Sequence, residues 1–184
     1  MALVVLLRGL NVGGHRTFRP TVLASQLQHL EAVNIGAAGT FVIRRPVTRA
    51  QLRLEVARRL PFEAEIMICP GRDIAKLVSR DFFAGRRVRR DVVRFVSVLS
   101  RRPRSAPRLP MRLPPRGRWL VEIIAHEERF VIGLHRRVMK AIGCLGELDE
   151  VFGQPATTRS WSTMNTIAEV LDSEGPRARV RSEE

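Results

Sequence analysis

Residues 2–14 read A-L-V-V-L-L-R-G-L-N-V-G-G, and this stretch sets the pattern of the fold. The run Ala2–Arg8 is mostly apolar and rich in valine and leucine, which predicts a buried β-strand. Gly9 ends the run, and Gly13 and Gly14 follow shortly after it. The sequence therefore predicts a short buried strand that leads into a glycine-rich loop.

Beyond this loop, segments with a helical spacing of apolar residues alternate with short apolar runs. The spacing predicts a helix that begins at Pro20 and extends to Val33, followed by helices over Thr48–Leu60 and Asp73–Arg80. Thr48 and Gln51 have the spacing of a capping box at the start of the second helix. The short runs predict strands at Thr40–Arg44, Ala64–Cys69 and Asp91–Leu99. This alternation indicates an α+β protein with helices packed on mainly antiparallel sheets.

The pattern changes after residue 100. Proline and arginine dominate residues 101–118, which predicts a linker or a long loop. A hairpin is predicted from Trp119–Ala125 and Phe130–Leu134, then a helix at Val138–Phe152 and a last helix, Thr163–Leu171, capped by Ser162. We therefore expect an N-terminal subdomain at 1–99, a linker at 100–118, a C-terminal subdomain at 119–172 and a flexible tail at 173–184.

Composition narrows the class of protein. The chain has 184 residues, 45% of them hydrophobic and only two of them cysteines, which excludes a wholly disordered chain and a disulfide scaffold. No run approaches the ~20 apolar residues that cross a bilayer, and no signal-peptide pattern is visible. We expect a cytoplasmic protein with no membrane partner, no metal and no cofactor. The sequence leaves the oligomeric state and any enzymatic activity open.

The charge is strongly positive and concentrated. The net charge is +14, and residues 86–118 contain twelve arginines and one acidic residue, Asp91. Such a run is typical of a solvated, mobile segment, or of a surface that binds nucleic-acid phosphates. In the second interpretation the phosphate-binding residues are Arg86, Arg87, Arg89, Arg90, Arg101, Arg102 and Arg104.

Two motifs are candidates for a small-ligand site. Glycines around Asn11 let backbone N–H groups approach an anion, although a tight turn also requires glycine. The motif T-T-R-S-W-S-T at 157–163 precedes the last predicted helix, where an arginine can bind phosphate and a tryptophan can stack on a ring. The alternative is structural: a helix cap, a core tryptophan and an arginine paired with a carboxylate. The candidate ligand-binding residues are Arg8, Asn11, Gly13, Gly14, Arg159, Trp161 and Thr163.

The same two motifs carry a family resemblance. L-L-R-G-L-N-V-G-G at 6–14 and T-T-R-S-W-S-T at 157–163 resemble the R-G-I-N-V-G-G and T-R-N-W-N-T motifs of the bacterial family called domain of unknown function 1697. The resemblance covers about residues 2–171 and implies two ferredoxin-like α/β subdomains. It implies no activity, because the family has no established one. Ala37 and Ala38 stand where the family has Gln and Ser, which argues against a shared catalytic function.

These observations lead to two functional hypotheses. The first is a protein that binds a small anionic ligand, of the nucleotide or phosphate type, through the two motifs. The alternative is a nucleic-acid-associated protein that binds phosphates through the Arg86–Arg118 region.

Overall fold

The computed structural model describes residues 1–9 and 18–173 of the chain. Within these ranges the strands are β1 (Leu3–Leu7), β2 (Ala32–Ile35), β3 (Thr40–Ile43), β4 (Ile66–Pro70), β5 (Val92–Leu99), β6 (Met111–Leu113), β7 (Val121–Glu127), β8 (Phe130–Arg136) and β9 (Ala156–Ser160). The helices are α1 (Pro20–Gln26), α2 (Arg49–Arg59), α3 (Gly71–Val78), α4 (Met139–Gly146), α5 (Leu148–Phe152) and α6 (Trp161–Asp172), and a 3₁₀ turn spans Gln28–Leu30.

The first sheet contains the four strands β1 to β4 of the N-terminal part of the chain. Along the chain the order is β1-α1-β2-β3-α2-β4, and in the sheet it is β2-β3-β1-β4 with antiparallel neighbours. This is the order of a split βαβ unit, in which a hairpin strand lies between two strands joined by a helix. Strand β1 is central, and its C-terminal end lies beside the turn between β2 and β3, where the Leu7 N–H donates to the Gly39 carbonyl.

The second sheet repeats this strand order. It has the order β6-β7-β8-β5-β9, and its last four strands match the order of the first sheet if β5 takes the place of β1. The position of the first crossover helix is taken by the arginine- and proline-rich segment, which contains the edge strand β6. The expected α+β class, with two subdomains and helices on antiparallel sheets, is confirmed.

Alternating side chains on β1 divide the interior into layers. Leu3, Val5 and Leu7 point into a core under α1 and α2, whereas Val4 and Leu6 point into a core shared with the second sheet. Helices α3 and α6 contribute to that shared core, and α4 and α5 cover a third core on the second sheet. All five side chains of β1 are buried, as expected for a strand covered on both faces.

Four details of the prediction are wrong, each for a local reason. The first helix is shorter than predicted: α1 ends at Gln26, and a 3₁₀ turn follows it. Glu31, with a left-handed φ of 51°, ends that turn, and Val33 lies in β2 rather than in a helix. The predicted linker contains β6, whose three residues are too few to show a period. The strand at residues 92–99, grouped by sequence with the N-terminal half, pairs with β8 and β9 in the second sheet.

The fourth correction concerns the start of α6. The segment before it forms β9, a strand of mostly polar residues that lacks the apolar signal used to recognise strands. Ser160, not Ser162, caps the helix, because its hydroxyl accepts a hydrogen bond from the backbone N–H of Thr163 at 3.2 Å. Residues 174–184, most of the predicted tail, lie outside the described residues.

Across residues 1–9 and 18–173, every helix is too short or too polar to cross a bilayer.

Candidate functional site

Arg159 is the centre of the C-terminal motif and lies between the two sheets. It is 7% exposed and belongs to β9, opposite Val96 of β5. Its guanidinium donates five hydrogen bonds to protein acceptors, one for each N–H. The acceptors are Thr40 Oγ1 at 2.8 Å, Thr157 Oγ1 at 2.9 Å, the Thr158 carbonyl at 2.8 Å, and the Leu7 and Ala38 carbonyls at 2.7 Å. Arg159 therefore ties β9 to the end of β1 and to the β2–β3 turn.

This geometry differs from both sequence interpretations of Arg159. No N–H group is left to bind a ligand, and none of the described residues supplies a carboxylate partner. Carbonyl and hydroxyl oxygens surround the guanidinium instead, and burial lowers its pKa to about 10. The positive charge is hydrogen-bonded but not neutralised by an opposite charge.

A pocket of about 480 Å³ lies at the junction of β1 and β9, and we call it the junction pocket. Arg8 and Gly9 line it from the end of β1, and residues 156–160 line it from β9. Arg8 Nη2 lies 2.5 Å from Asp149 Oδ2, and both side chains are about one-third exposed, at 33% and 29%. Arg8 of the first motif and Arg159 of the second, about 150 residues apart in sequence, thus line the same pocket.

The remaining walls come from residues that sequence reasoning did not select. Asp149 accepts a hydrogen bond from the backbone N–H of Ala156 at 3.0 Å, which fixes its carboxylate beside Arg8. His135, Ile142 and Leu145 add an imidazole and an apolar wall. In the sequence, Asp149 belongs to an acidic turn typical of a solvated helix, and only the tertiary fold reveals its ion pair with Arg8.

Trp161 and Thr163 have structural roles in this arrangement. The Trp161 ring packs edge-to-face against Phe83 at a centroid distance of 5.1 Å and against Phe82 at 6.2 Å. Thr163 Oγ1 lies 3.0 Å from the hydroxyl of the capping Ser160. Neither residue lines the junction pocket. These positions agree with the structural alternative for the motif.

The glycine loop is described only at its start. Gly9 has a φ of 72°, in the left-handed region that favours glycine, so the chain turns sharply as β1 ends. Asn11, Gly13 and Gly14 lie outside the described residues. Their proposed part in ligand binding stays a prediction.

The arginine-rich segment does not form one continuous surface. Arg86, Arg87, Arg89 and Arg90 precede β5, whereas Arg101, Arg102 and Arg104 follow it, at the opposite end of the strand. Arg102 at that far end pairs with Glu128 at 3.3 Å. The described residues contain no group of three His, Cys, Asp or Glu side chains close enough to hold a metal ion.

Comparison with known proteins supports the fold alone. No protein-family model matches the sequence, and none of the curated proteins matches it. Among solved structures, the chain is similar to a conserved bacterial protein from Streptococcus pneumoniae, with a TM-score of 0.55 and 15% sequence identity. The likeness covers 93% of this chain and 98% of the other. The resemblance to the domain of unknown function 1697 family stays a prediction.

Proposed function

We propose that the junction pocket binds a small anion of the phosphate or nucleotide type. The observation that carries this proposal is the charge of Arg159, which lines the pocket and has no carboxylate partner among the described residues. A buried charge acts through a low-dielectric interior, where its potential is screened far less than in water. Arg159 therefore attracts an anion through its field, although its N–H groups are already used.

Arg8 is the residue suited to direct contact. Its ion pair with Asp149 uses Nη2, and Asp149 has a second anchor at the backbone N–H of Ala156. Both side chains of the pair are about one-third exposed, so a ligand anion can reach the Arg8 guanidinium and share it with Asp149. Arginine is also the side chain whose geometry matches phosphate oxygens best.

The apolar wall of the pocket favours a ligand that has an apolar or aromatic part beside its anionic group. Ile142 of α4 is 52% exposed and lines the pocket beside Leu145. The volume of about 480 Å³ lies within the usual range of small-molecule pockets. A mononucleotide such as AMP combines a phosphate for Arg8 with a base for this wall.

Calorimetric titration with AMP and with inorganic phosphate tests the proposal. Arg8→Gln should weaken AMP binding about tenfold, the effect of losing one charge-assisted hydrogen bond. Arg58→Gln removes the same charge at an exposed position of α2 that does not line the pocket, and it should leave the affinity unchanged. Equal losses in both variants, or no binding to the wild-type protein, would contradict the proposal.

We also infer that both halves are ferredoxin-like and that the protein works in the cytoplasm. The shared strand order of the two sheets supports the first inference. Two free, buried cysteines, Cys69 and Cys144, support the second, because a reducing compartment keeps thiols unpaired.

A further inference from the structure

Five arginines surround two carboxylates at one end of the second sheet. The Asp91 carboxylate forms ion pairs with Arg136 Nη1 at 2.8 Å, with Arg89 Nε at 3.7 Å and with Arg118 Nη2 at 3.9 Å. The Glu122 carboxylate forms ion pairs with Arg86 Nη1 at 3.1 Å and with Arg112 Nε at 3.3 Å. We call these seven residues the arginine cluster. Five positive and two negative charges leave a net charge of +3.

The fold explains why these residues meet. Asp91 comes just before β5, beside the end of β8, because Val92 pairs with Arg136. Glu122 is near the start of β7 at the same end of the sheet, where it lies opposite Arg112 of β6. The cluster therefore gathers side chains from the segment before β5, from the β6–β7 connection and from the end of β8.

The cluster has a rigid base and an exposed rim. The side chains of Glu122 and Arg136 are only 7% and 15% exposed, and the Arg136 guanidinium stacks on Trp119 at 4.3 Å. Arg89 and Arg118 are 82% and 73% exposed, and their long separations from Asp91 make weak pairs. Three more exposed arginines lie within two residues of Arg89 or Arg118 in sequence and have no carboxylate partner among the described residues: Arg87, Arg90 and Arg116.

We propose that the arginine cluster binds the phosphodiester backbone of a nucleic-acid strand. The guanidinium groups of the rim can each donate two hydrogen bonds to phosphate oxygens. A phosphate can replace Asp91 as the partner of Arg89 and Arg118, whose pairs with it are long, while Asp91 stays bound to Arg136. Backbone contacts of this kind position a protein without reading sequence, and they release counterions. No cluster residue lines the junction pocket, so this site is independent of the proposed small-ligand site.

Fluorescence anisotropy over a series of KCl concentrations tests the proposal. The probes are a labelled oligouridylate and a labelled DNA duplex. The variant Arg89→Gln/Arg118→Gln removes two rim charges, while Arg136 still neutralises Asp91. The control Arg58→Gln/Arg72→Gln removes two exposed charges from α2 and α3. Arg72 is well matched to Arg89, since it is 74% exposed and lies 3.7 Å from Asp73.

The wild-type protein is expected to bind at low salt, with log Kd rising linearly with log [KCl]. The rim variant should lower that slope by about 1.4 on the single strand, or 0.7 for each lost phosphate contact, and weaken binding several-fold. The control should keep the wild-type slope. Equal losses in both double variants would overturn the proposal, because net charge alone would then explain binding. Binding to anionic lipid vesicles without binding to either probe would also overturn it.

Discussion

At the scale of single residues, Arg159 shows how a motif can be important without touching a ligand. An arginine in a T-T-R-S-W-S-T motif before a helix suggests a residue that binds an anion. The sequence does not reveal that this arginine is buried or which atoms accept its hydrogen bonds. The structure gives it five acceptors from β1, β3, β9 and the β2–β3 turn. Its partners are mostly backbone carbonyls, which any residue supplies, so no sequence signal marks them.

The first prediction concerns the stability that Arg159 provides. Arg159→Met should lower the free energy of unfolding by at least about 3 kcal/mol, because it leaves several buried oxygen acceptors without a donor. Arg58→Met, an exposed site on α2, should change it by less than about 0.5 kcal/mol. Urea denaturation of both variants measures the difference. If Arg159→Met lowers the free energy of unfolding no more than Arg58→Met does, Arg159 does not stabilise the contact between the two sheets.

The second prediction concerns Cys69, which is fully buried in β4. Burial raises the pKa of its thiol from 9.0 to about 11. Its contribution to stability is complete below about pH 9 and is lost as the pH rises toward about 11, because the unfolded chain ionises first. Cys144 and Arg159, whose pKa values are also shifted by burial, are present in both the wild-type protein and Cys69→Val, so the difference between the two proteins isolates the effect of Cys69.

Stability measured by denaturation at about pH 8 and about pH 10 tests this effect. The wild-type protein should lose about 1 kcal/mol more over this range than Cys69→Val, which keeps Cys144 but lacks the buried thiol. Identical pH profiles for the two proteins would contradict the role assigned to Cys69.

At the scale of elements, the sequence predicts the helices and strands that carry a clear apolar pattern, and it misses strands that are short or polar. The capping box of α2 is confirmed in full: Thr48 Oγ1 accepts from the Gln51 backbone at 3.2 Å, and the Gln51 side chain accepts from the Thr48 backbone at 3.3 Å. Strands β1, β3 and β4 follow from their apolar runs. Strand β9 has no such run, because its polar side chains bond to neighbouring strands instead of entering an apolar core.

A prediction at this scale compares glycines in β8 and α4. A Cβ added to Gly133 would lie 2.3 Å from the Glu122 carbonyl and 2.8 Å from the Phe95 ring, so β8 can pass there only without a side chain. Gly133→Ala should destabilise the protein by at least about 2 kcal/mol. Gly143→Ala should stabilise it by up to about 1 kcal/mol, since its Cβ meets no atom within 4 Å and alanine favours helices. Thermal denaturation should give shifts of opposite sign, and shifts of the same sign would contradict this packing.

At the scale of the whole molecule, two sheets with one strand order pack around a shared core. The sequence shows no internal repeat, and in the second half the arginine- and proline-rich segment takes the place of the first crossover helix. That replacement explains why the sequence pattern placed β5 in the first half. The α+β class was predictable from local patterns. The junction pocket was only partly predictable, since its arginines lie in motifs but Asp149 and the α4 wall are brought there by the fold.

The central claim is that the junction pocket binds a small anion, and native mass spectrometry with AMP tests it most directly. Gly146 lines the pocket, and a Cβ added there or at Gly143 meets no atom within 4 Å. Gly146→Leu should therefore add an apolar side chain to the pocket lining and obstruct ligand binding, while Gly143→Leu, at a position that does not line the pocket, serves as a control on the same helix. We predict a one-to-one AMP complex for the wild-type protein and Gly143→Leu, and its loss in Gly146→Leu. Equal complex formation in all three proteins, or in none, would contradict the claim.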